Sequence, residues 1–555
     1  MKLTIGAGII IISFLHAQPI IKQIDDITRY QEQRKIYESQ NKERQTSAPI
    51  YTEVRTIPLS QDSNASKACI QINEIDLADI ALINKNDLHK LASPYLHRCD
   101  TMQDISTLVK KINNVYIEMS YVTSRAYIKP QDMSKGKLVI SAMEGKIEFV
   151  RGNGISTSLV FPFVNKSYLN LRDLEVGIEQ LNRLQSTKAT MAINPGTEQG
   201  YSQILMKGTK VGSVIHGSLG INNYGTNKSG KYQLNGTLGW DNPLGINDLL
   251  TINLNTTNKR DKENNSLGNS INYTLPIGRA YFGVSYSKFK YNQMVNGLNI
   301  DYLSEGKSET FQTNLEYKIF HTKEQKGKFD ISILRKKNDN YLAGVFLETS
   351  SNKLTIMQLG YTHNYAATTW DGYAIFKYHR GLNWFGAKSG SAAKPIFNKY
   401  TLDLSYNKRL SGKGVPARYN FSLHGQYAKK GIIGSEQIGI GGPYSVRGFK
   451  NEGQISGNKG LYIRNELSFN QILGKGMFSP YFALDYGVIS KNKQSYGGHI
   501  VGIALGSRLN IYDLSLDVFK SIPIVDSNKV TFKPNGDEVR KTNKGFAGFN
   551  LSYRF

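Results

Sequence analysis

From Val211 to the end of the chain, apolar and polar positions alternate with the period of a β-strand. In KYQLNGTLGW, Tyr232, Leu234, Leu238 and Trp240 share one face; Lys231, Gln233, Asn235 and Thr237 take the other. Further on, Leu514, Leu516 and Val518 oppose Asp513, Ser515 and Asp517. The closing FNLSYRF sets Phe549, Leu551, Tyr553 and Phe555 against Asn550, Ser552 and Arg554. Segments of roughly ten residues recur between turn signals such as DNPLGIND and PIGR. The polar face carries real charges, among them Arg464, Glu466, Arg508, Asp513 and Arg554, and the connections alternate between short and long. A soluble sandwich alternates too, but its core is rarely flanked by such charges. The pattern predicts a transmembrane antiparallel β-barrel, apolar outward and polar inward. It must close, because every backbone group in lipid has to pair. Between Val211 and Phe555 sixteen or seventeen candidate strands can be counted, the ambiguity lying between Phe329 and Tyr400. Closure of a fully antiparallel sheet needs an even number, so sixteen strands over 209–555 are expected, around a lumen wide enough for an aqueous channel.

Upstream the period changes. CIQINEIDL alternates, ALINKNDLHKLASPYLHRC and MQDISTLVKKINNVYIEMSY have helical periodicity, and KGKLVISAMEG reads as a strand ending in a glycine turn. After Ile147, IEFV, an amphipathic LRDLEVGIEQLNRLQ and a hairpin-like ATMAINPGTEQGYSQILMKG repeat the mixture. Two small α/β modules are therefore expected, over 67–146 and 147–208. Residues 46–66, with Pro49 and Pro58, read as a linker. In 18–45, Ile20, Ile24 and Ile27 fall at helical spacing before YQEQRKIYESQNKER. That apolar stripe is too thin for a core position, and the pattern leaves a helix in wet surroundings and a disordered segment both open. The start, MKLTIGAGIIIISFLHA, predicts a signal peptide over 1–17. No later apolar run is long enough for a transmembrane helix.

Composition agrees with strands that have one apolar and one wet face: 33 tyrosines, 23 phenylalanines and 52 glycines accompany a hydrophobic fraction of 39%. A net charge of +25 fits nucleic acid, an anionic membrane or a basic channel. No helix-turn-helix, zinc-finger or RNA-binding signature accompanies it and the lysines are dispersed, so no nucleic-acid partner is expected. The two cysteines, Cys69 and Cys99, are expected to pair in an oxidising compartment. Two buried thiols are the alternative.

No catalytic constellation stands out, and neither an enzymatic activity nor a cofactor or metal is expected. Gly306-Lys307-Ser308 lacks the earlier glycine of a phosphate loop, since Asp301 stands there. His424 beside Ser422 admits a hydrolase barrel, but a hydrogen-bonding lumenal histidine is the commoner arrangement. The chemistry that remains is a charge pair. In SPYFALDYGVI, Phe482, Leu484, Tyr486 and Val488 fit lipid, whereas Tyr481, Ala483, Asp485 and Gly487 face the lumen. Arg447, in the glycine-rich GGPYSVRGFKNEGQ, meets Asp485 if that loop folds inward. If it stays on the surface, Asp485 merely wets the channel.

VRGF, at Val446, Arg447, Gly448 and Phe449, resembles the loop tetrad of the outer-membrane barrel superfamily that includes the BamA assembly proteins. The chain as a whole resembles the transporters of two-partner secretion, the TpsB proteins. YVTSRAYIKPQDMSKGKLVISAMEGKIEFV is similar to the end of that family's first POTRA domain, LNLRDLEVGIEQLNRLQSTKATMAINPGTEQG to its second, and DNPLGIND to its early barrel turn. Two departures stand out: Ser120 replaces a glycine, and Tyr481 replaces a phenylalanine four residues before Asp485. The resemblance implies a sixteen-stranded outer-membrane barrel with two periplasmic POTRA domains and a plug helix over 18–45. It implies that Arg447 and Asp485 hold the loop inside the barrel. It also implies that Phe549, Leu551, Tyr553 and Phe555 form the strand recognised by the barrel assembly machinery. The expected partner is a large secreted exoprotein such as a haemolysin, an adhesin or a contact-dependent growth-inhibition toxin. An assembly factor for other barrels is the alternative within the superfamily, although such factors commonly carry more POTRA domains and lack the plug.

Overall fold

The computed structural model describes residues 25–44, 55–58, 68–162, 164–226, 229–257, 263–296, 300–390, 393–410, 416–450, 455–492, 497–527, 530–532, 538–540 and 545–555. The expected signal peptide and most of the expected linker lie outside these residues.

Two α/β modules come first. The first contains β1 (Cys69–Ile72), β2 (Glu74–Ala78), α1 (Lys85–Ala92), β3 (Arg98–Thr101), α2 (Met102–Glu118), β4 (Arg125–Tyr127) and β5 (Lys137–Met143). Its three-stranded sheet has the order β2-β5-β4, and β1 pairs with β3. α2 starts at a capping box in which Thr101 and Asp104 satisfy each other's backbone N–H. Ile105, Leu108, Ile112 and Tyr116 recur at helical spacing, and that face closes on Leu138 and Ile140 of β5. Cys69 and Cys99 form a disulfide between β1 and β3.

The second module contains β6 (Lys146–Asn153), α3 (Leu171–Leu181), β7 (Thr187–Pro195) and β8 (Tyr201–Lys210), in the sheet order β6-β8-β7. α3 lays Leu174, Ile178 and Leu181 on Ile147, Ile204 and Met206. β8 runs two residues beyond 208 because Thr209 and Lys210 still pair with Lys188 and Thr187.

The rest is a closed antiparallel barrel of sixteen long strands with three short ancillary pairings. Strand one (Ile215–Asn222) pairs with strand sixteen (Phe546–Arg554), which closes the ring. Connections on the side of the α/β modules are short, such as Gly278–Arg279 between Ile277 and Ala280. Those on the far side are long, up to the 31 residues that separate Tyr427 from Lys459. Strands five to eight (Ala280–Asn296, Asp301–His321, Gln325–Leu342 and Asn352–Ala366) are 17, 21, 18 and 15 residues long. About ten residues suffice to cross a bilayer, so this sector of the wall projects beyond the far side of the membrane. Leu234, Leu238, Leu254, Phe376, Phe482, Leu484 and Leu505 point outward and are exposed on the isolated chain, as a lipid-facing belt requires. Asp513 departs from the sequence reading: it sits exposed in the tight turn between Ile511 and Leu514, because the strand reverses there. Gly306, Lys307 and Ser308 are ordinary members of strand six. Among the described residues no helix is long and apolar enough to cross a membrane.

Residues 25–44 are helical and lie inside the barrel. Their partners are wall and loop groups: Arg34 Nη2 donates to Asn235 Oδ1 (2.8 Å) and Gln40 Nε2 to Asp403 Oδ1 (2.7 Å). Lys328 Nζ donates to Glu43 (2.9 Å). The lumen is lined by amides, hydroxyls and charges, so a helix with no broad apolar stripe is well solvated there.

Candidate functional site: a loop bound inside the lumen

The long connection between strand eleven (Ala417–Tyr427) and strand twelve (Lys459–Phe469) turns into the barrel instead of standing above it. It forms a short hairpin, Ile438–Ile440 with Ile455–Gly457. Ile438, Ile440, Val446, Phe449 and Ile455 then pack on Tyr462, Ile489 and Ile500 of the wall. Gly448 has φ +105°, and a Cβ there would meet the Ile522 carbonyl oxygen at 2.6 Å, so this residue has to be glycine.

Burial of Arg447 answers whether the loop is a surface one. The residue is 5% exposed and Asp485, on strand thirteen (Gly476–Ile489), is 0% exposed. Arg447 Nε donates to Asp485 Oδ2 at 2.7 Å and Nη2 to Oδ1 at 2.9 Å, while the Arg447 backbone N–H donates to Oδ2 at 2.9 Å. The two side-chain bonds are parallel, the geometry that a planar guanidinium offers and an ammonium does not.

The pair belongs to a longer chain of charges. Arg447 Nη1 donates to Glu466 Oε2 (2.7 Å), and Glu466 also accepts from Arg508 Nη1 (2.6 Å) and Nη2 (3.0 Å). Arg508 Nε continues to Asp517 Oδ2 (3.2 Å), and Tyr481 Oη donates to Asp517 Oδ1 (3.0 Å). The Arg508 guanidinium lies over the Tyr481 ring, 4.3 Å from its centroid. Four strands and one loop are thus joined through alternating charge. Sequence reasoning puts Glu466 and Arg508 on the wet face and assigns neither a partner. They sit on strands twelve and fourteen and reach across strand thirteen above Ala483, which lies opposite Glu466. Strand parity carries the signal for their facing; their meeting depends on register.

Small residues make room for the loop. A Cβ at Gly487 would meet Val446 Cγ2 at 2.8 Å, and one at Gly502, opposite Asp485, would overlap the Arg447 carbonyl oxygen.

The same loop holds the lumenal helix. Gln33 Nε2 donates to the Gly439 carbonyl (2.5 Å) and Arg29 Nη1 to that of Gly434 (3.0 Å). The Tyr444 ring lies near both Tyr30 and Tyr37, 5.5 Å from each and tilted by 43° and 45°. Lys336 Nζ, from strand seven, donates to Glu32 of the helix (3.2 Å) and to Glu436 of the loop (2.9 Å). Lys399 Nζ takes the other Glu436 oxygen at 2.6 Å. His424 is a lumenal hydrogen-bonding residue, its Nδ1 2.7 Å from Asp403 Oδ1. At the seam, Phe549 packs near Tyr232 (6.3 Å), and Phe555 exchanges backbone hydrogen bonds with Gly217 (2.9 and 3.0 Å). Leu551 pairs with Leu516 and Tyr553 with Leu514.

A closed barrel with α/β modules at one mouth and a loop bonded across its lumen is an outer-membrane protein-translocation barrel with POTRA domains. Comparison with known proteins supplies the family. Residues 200–509 match the family described as haemolysin secretion/activation protein ShlB/FhaC/HecB. Residues 70–145 match the ShlB-type POTRA domain and 143–195 a further POTRA domain. The outer membrane transporter CdiB of Dickeya dadantii (strain 3937) is 32% identical over 86% of this chain and 88% of its own. The hemolysin transporter protein HpmB of Proteus mirabilis is 29% identical, with 82% of each chain covered. Among solved structures, CdiB from Escherichia coli superposes with a TM-score of 0.84 at 26% identity, covering 96% of this chain and 98% of that one. CdiB from Acinetobacter baumannii shares the fold, with a TM-score of 0.79 at 23% identity over 96% and 99%.

The chain belongs to the haemolysin secretion/activation family. It is an outer-membrane transporter of two-partner secretion, with its POTRA domains in the periplasm, and the assembly-factor alternative is set aside.

Proposed function

We propose that this transporter exports one large exoprotein, unfolded, through its own lumen. The observation that carries the reading is a sixteen-stranded pore occupied by a helix that polar and aromatic contacts retain, with Ile27 packed on Tyr291, Phe289 and Leu347 as its small apolar cluster. Such a helix leaves without dismantling a hydrophobic core. In the resting state residues 25–44 act as a plug, and their departure opens the path. An extended segment of cargo adds to an exposed POTRA sheet edge and moves from there into the barrel. Folding outside the cell supplies direction. Several relatives are named CdiB, so a contact-dependent growth-inhibition toxin is the favoured cargo over a haemolysin or adhesin. The loop bonded to strand thirteen keeps one side of the lumen fixed while cargo passes, and Phe549, Leu551, Tyr553 and Phe555 serve as the signal read during barrel assembly.

Arg447→Ala tests this reading. It removes the cation hydrogen-bonded to buried Asp485 and leaves only Arg464 Nε at 4.0 Å, a loss of up to about 3–5 kcal/mol. Export of the partner is expected to fall at least tenfold, while the barrel still inserts and keeps its heat-modifiable mobility on a gel. Wild-type secretion by this variant sinks the role given to the pair. Restoration of export by Arg447→Asp with Asp485→Arg would demonstrate that the two act together.

A further inference from the structure

On the outer wall, far from the loop site, aromatic and basic side chains converge at the extracellular end of strands nine to twelve. Strand nine is Trp370–Leu382 and strand ten Asn398–Leu410. Tyr378 lies opposite Tyr400, Tyr400 opposite Tyr427, and Tyr427 opposite Lys459, a cross-strand row at one height. Ring centroids are 5.3 Å apart for Tyr378–Tyr400 and 6.5 Å for Tyr400–Tyr427. Lys459 Nζ sits over the Tyr427 ring, 4.5 Å from its centroid. Two residues further out on strand nine, Arg380 Nη1 donates to Asn398 Oδ1 (2.7 Å), an oxygen that also accepts from Tyr378 Oη (2.7 Å). Lys429 and Lys430 follow Tyr427 after the buried Ala428 and are exposed. Below the row, Phe376 and Leu402 continue the same face as apolar, exposed positions.

Charge is one-sided here. From Tyr378 to Tyr400 the sequence contains no Asp or Glu, and besides the lumenal Lys399 it contains Arg380, Lys388 and Lys394. Tyr427–Gly434 likewise has no acid. The neighbouring loop presents Trp384 and Phe385, both exposed. Tyrosine and tryptophan settle at the level where acyl chains meet headgroups, and guanidinium and ammonium groups just outside them bind phosphate.

We propose that this face is a docking surface for a phosphorylated lipid of the outer leaflet. The acyl chains lie on Phe376 and Leu402, the tyrosine row marks the headgroup boundary, and Arg380, Lys429, Lys430 and Lys459 hold the phosphates. The partner is a membrane lipid rather than free phosphate because Arg380, on the same face of strand nine as Phe376, and Lys459, beside Tyr427, continue a lipid-facing apolar strip.

Purified transporter in detergent, titrated with diphosphoryl lipid A and followed by native mass spectrometry, tests this. The wild type is expected to retain bound lipid. The Arg380→Gln/Lys429→Gln/Lys430→Gln/Lys459→Gln variant is expected to bind at least tenfold more weakly. Dephosphorylated lipid A is expected to bind the wild type as weakly as the intact lipid binds the variant, an arm that needs no mutant to fold. Heat-modifiable mobility reports folding of the variant. Equal binding of phosphorylated and dephosphorylated lipid overturns the proposal, as does competition by millimolar inorganic phosphate alone. Undiminished lipid binding by a folded variant overturns it too.

Discussion

Asp485 shows what a single side chain reveals in a β-barrel sequence. Its inward facing follows from strand parity, and its neighbours Ala483 and Gly487 signal that something approaches the wall there. That much is legible without a structure, as is the identity of Arg447 as a candidate partner. Glu466, Arg508 and Asp517 are not legible as partners, because contacts across a lumen depend on the register of several strands at once. Two substitutions separate the features of this site. Arg447→Lys keeps the charge but not the two parallel bonds to Asp485, and export is expected to lie between wild type and Arg447→Ala when secreted partner is quantified. Tyr481→Phe removes one hydrogen bond to Asp517, which Arg508 still holds. A loss of about 1 kcal/mol in barrel stability is expected, with secretion near wild type. A collapse of secretion in this variant would show that the tyrosine hydroxyl does more than steady Asp517.

At the scale of elements, Ser120 explains one departure from the family pattern. It follows α2 with φ +69°, the Tyr121 N–H reaches back to the Tyr116 carbonyl (2.8 Å) and the Ser120 N–H to that of Ile117 (2.9 Å). This is the helix ending in which glycine usually takes the left-handed position. The serine accepts that strain and gains a bond, since Arg172 Nε of the second POTRA domain donates to its Oγ (3.0 Å). Ser120→Gly is therefore expected to change stability by less than about 1 kcal/mol, as relief of strain and loss of the bond offset each other. Ser120→Val, branched at a left-handed position, should cost about 2 kcal/mol in chemical denaturation. The disulfide belongs to the same domain. It spans 30 residues of sequence, so reduction is expected to remove roughly 3–4 kcal/mol from the first POTRA domain, seen as a lowered midpoint under dithiothreitol. One helix is shorter than its pattern suggests. LRDLEVGIEQLNRLQ has helical periodicity throughout, yet α3 stops at Leu181. There Asn182 exchanges hydrogen bonds with the Ala189 backbone of β7 in both directions, which draws the chain out of the helix.

The whole molecule is joined where the second POTRA domain meets the periplasmic rim. Arg183 donates to the Asn247 carbonyl (2.6 Å) and to Thr274 Oγ1 (2.9 Å), and Arg279 pairs with Asp173 (2.7 Å). Glu179 is held by Lys318 (2.7 Å) and Lys326 (2.8 Å). Burial works against its ionisation, but the two ammonium groups outweigh it and lower its pKa from 4.5 to about 2. A carboxylate depressed in the folded state stabilises above its unfolded pKa and loses that contribution as pH falls through the folded one. Docking of α3 on the rim should therefore weaken between about pH 4.5 and 2, read as growing pepsin cleavage in 171–181. Glu179→Gln should flatten that dependence. None of this junction is legible in the sequence, which gives the barrel, its closure and the modules but not the surfaces by which separately folded bodies meet. The lumenal helix is a case in point, and it also orders events in time. Residues 25–44 leave the ribosome well before their contacts at Gly434 and Gly439, which lie 405 and 406 residues further along the chain. The stopper is made before the bottle, and it can be seated only once the neck is finished.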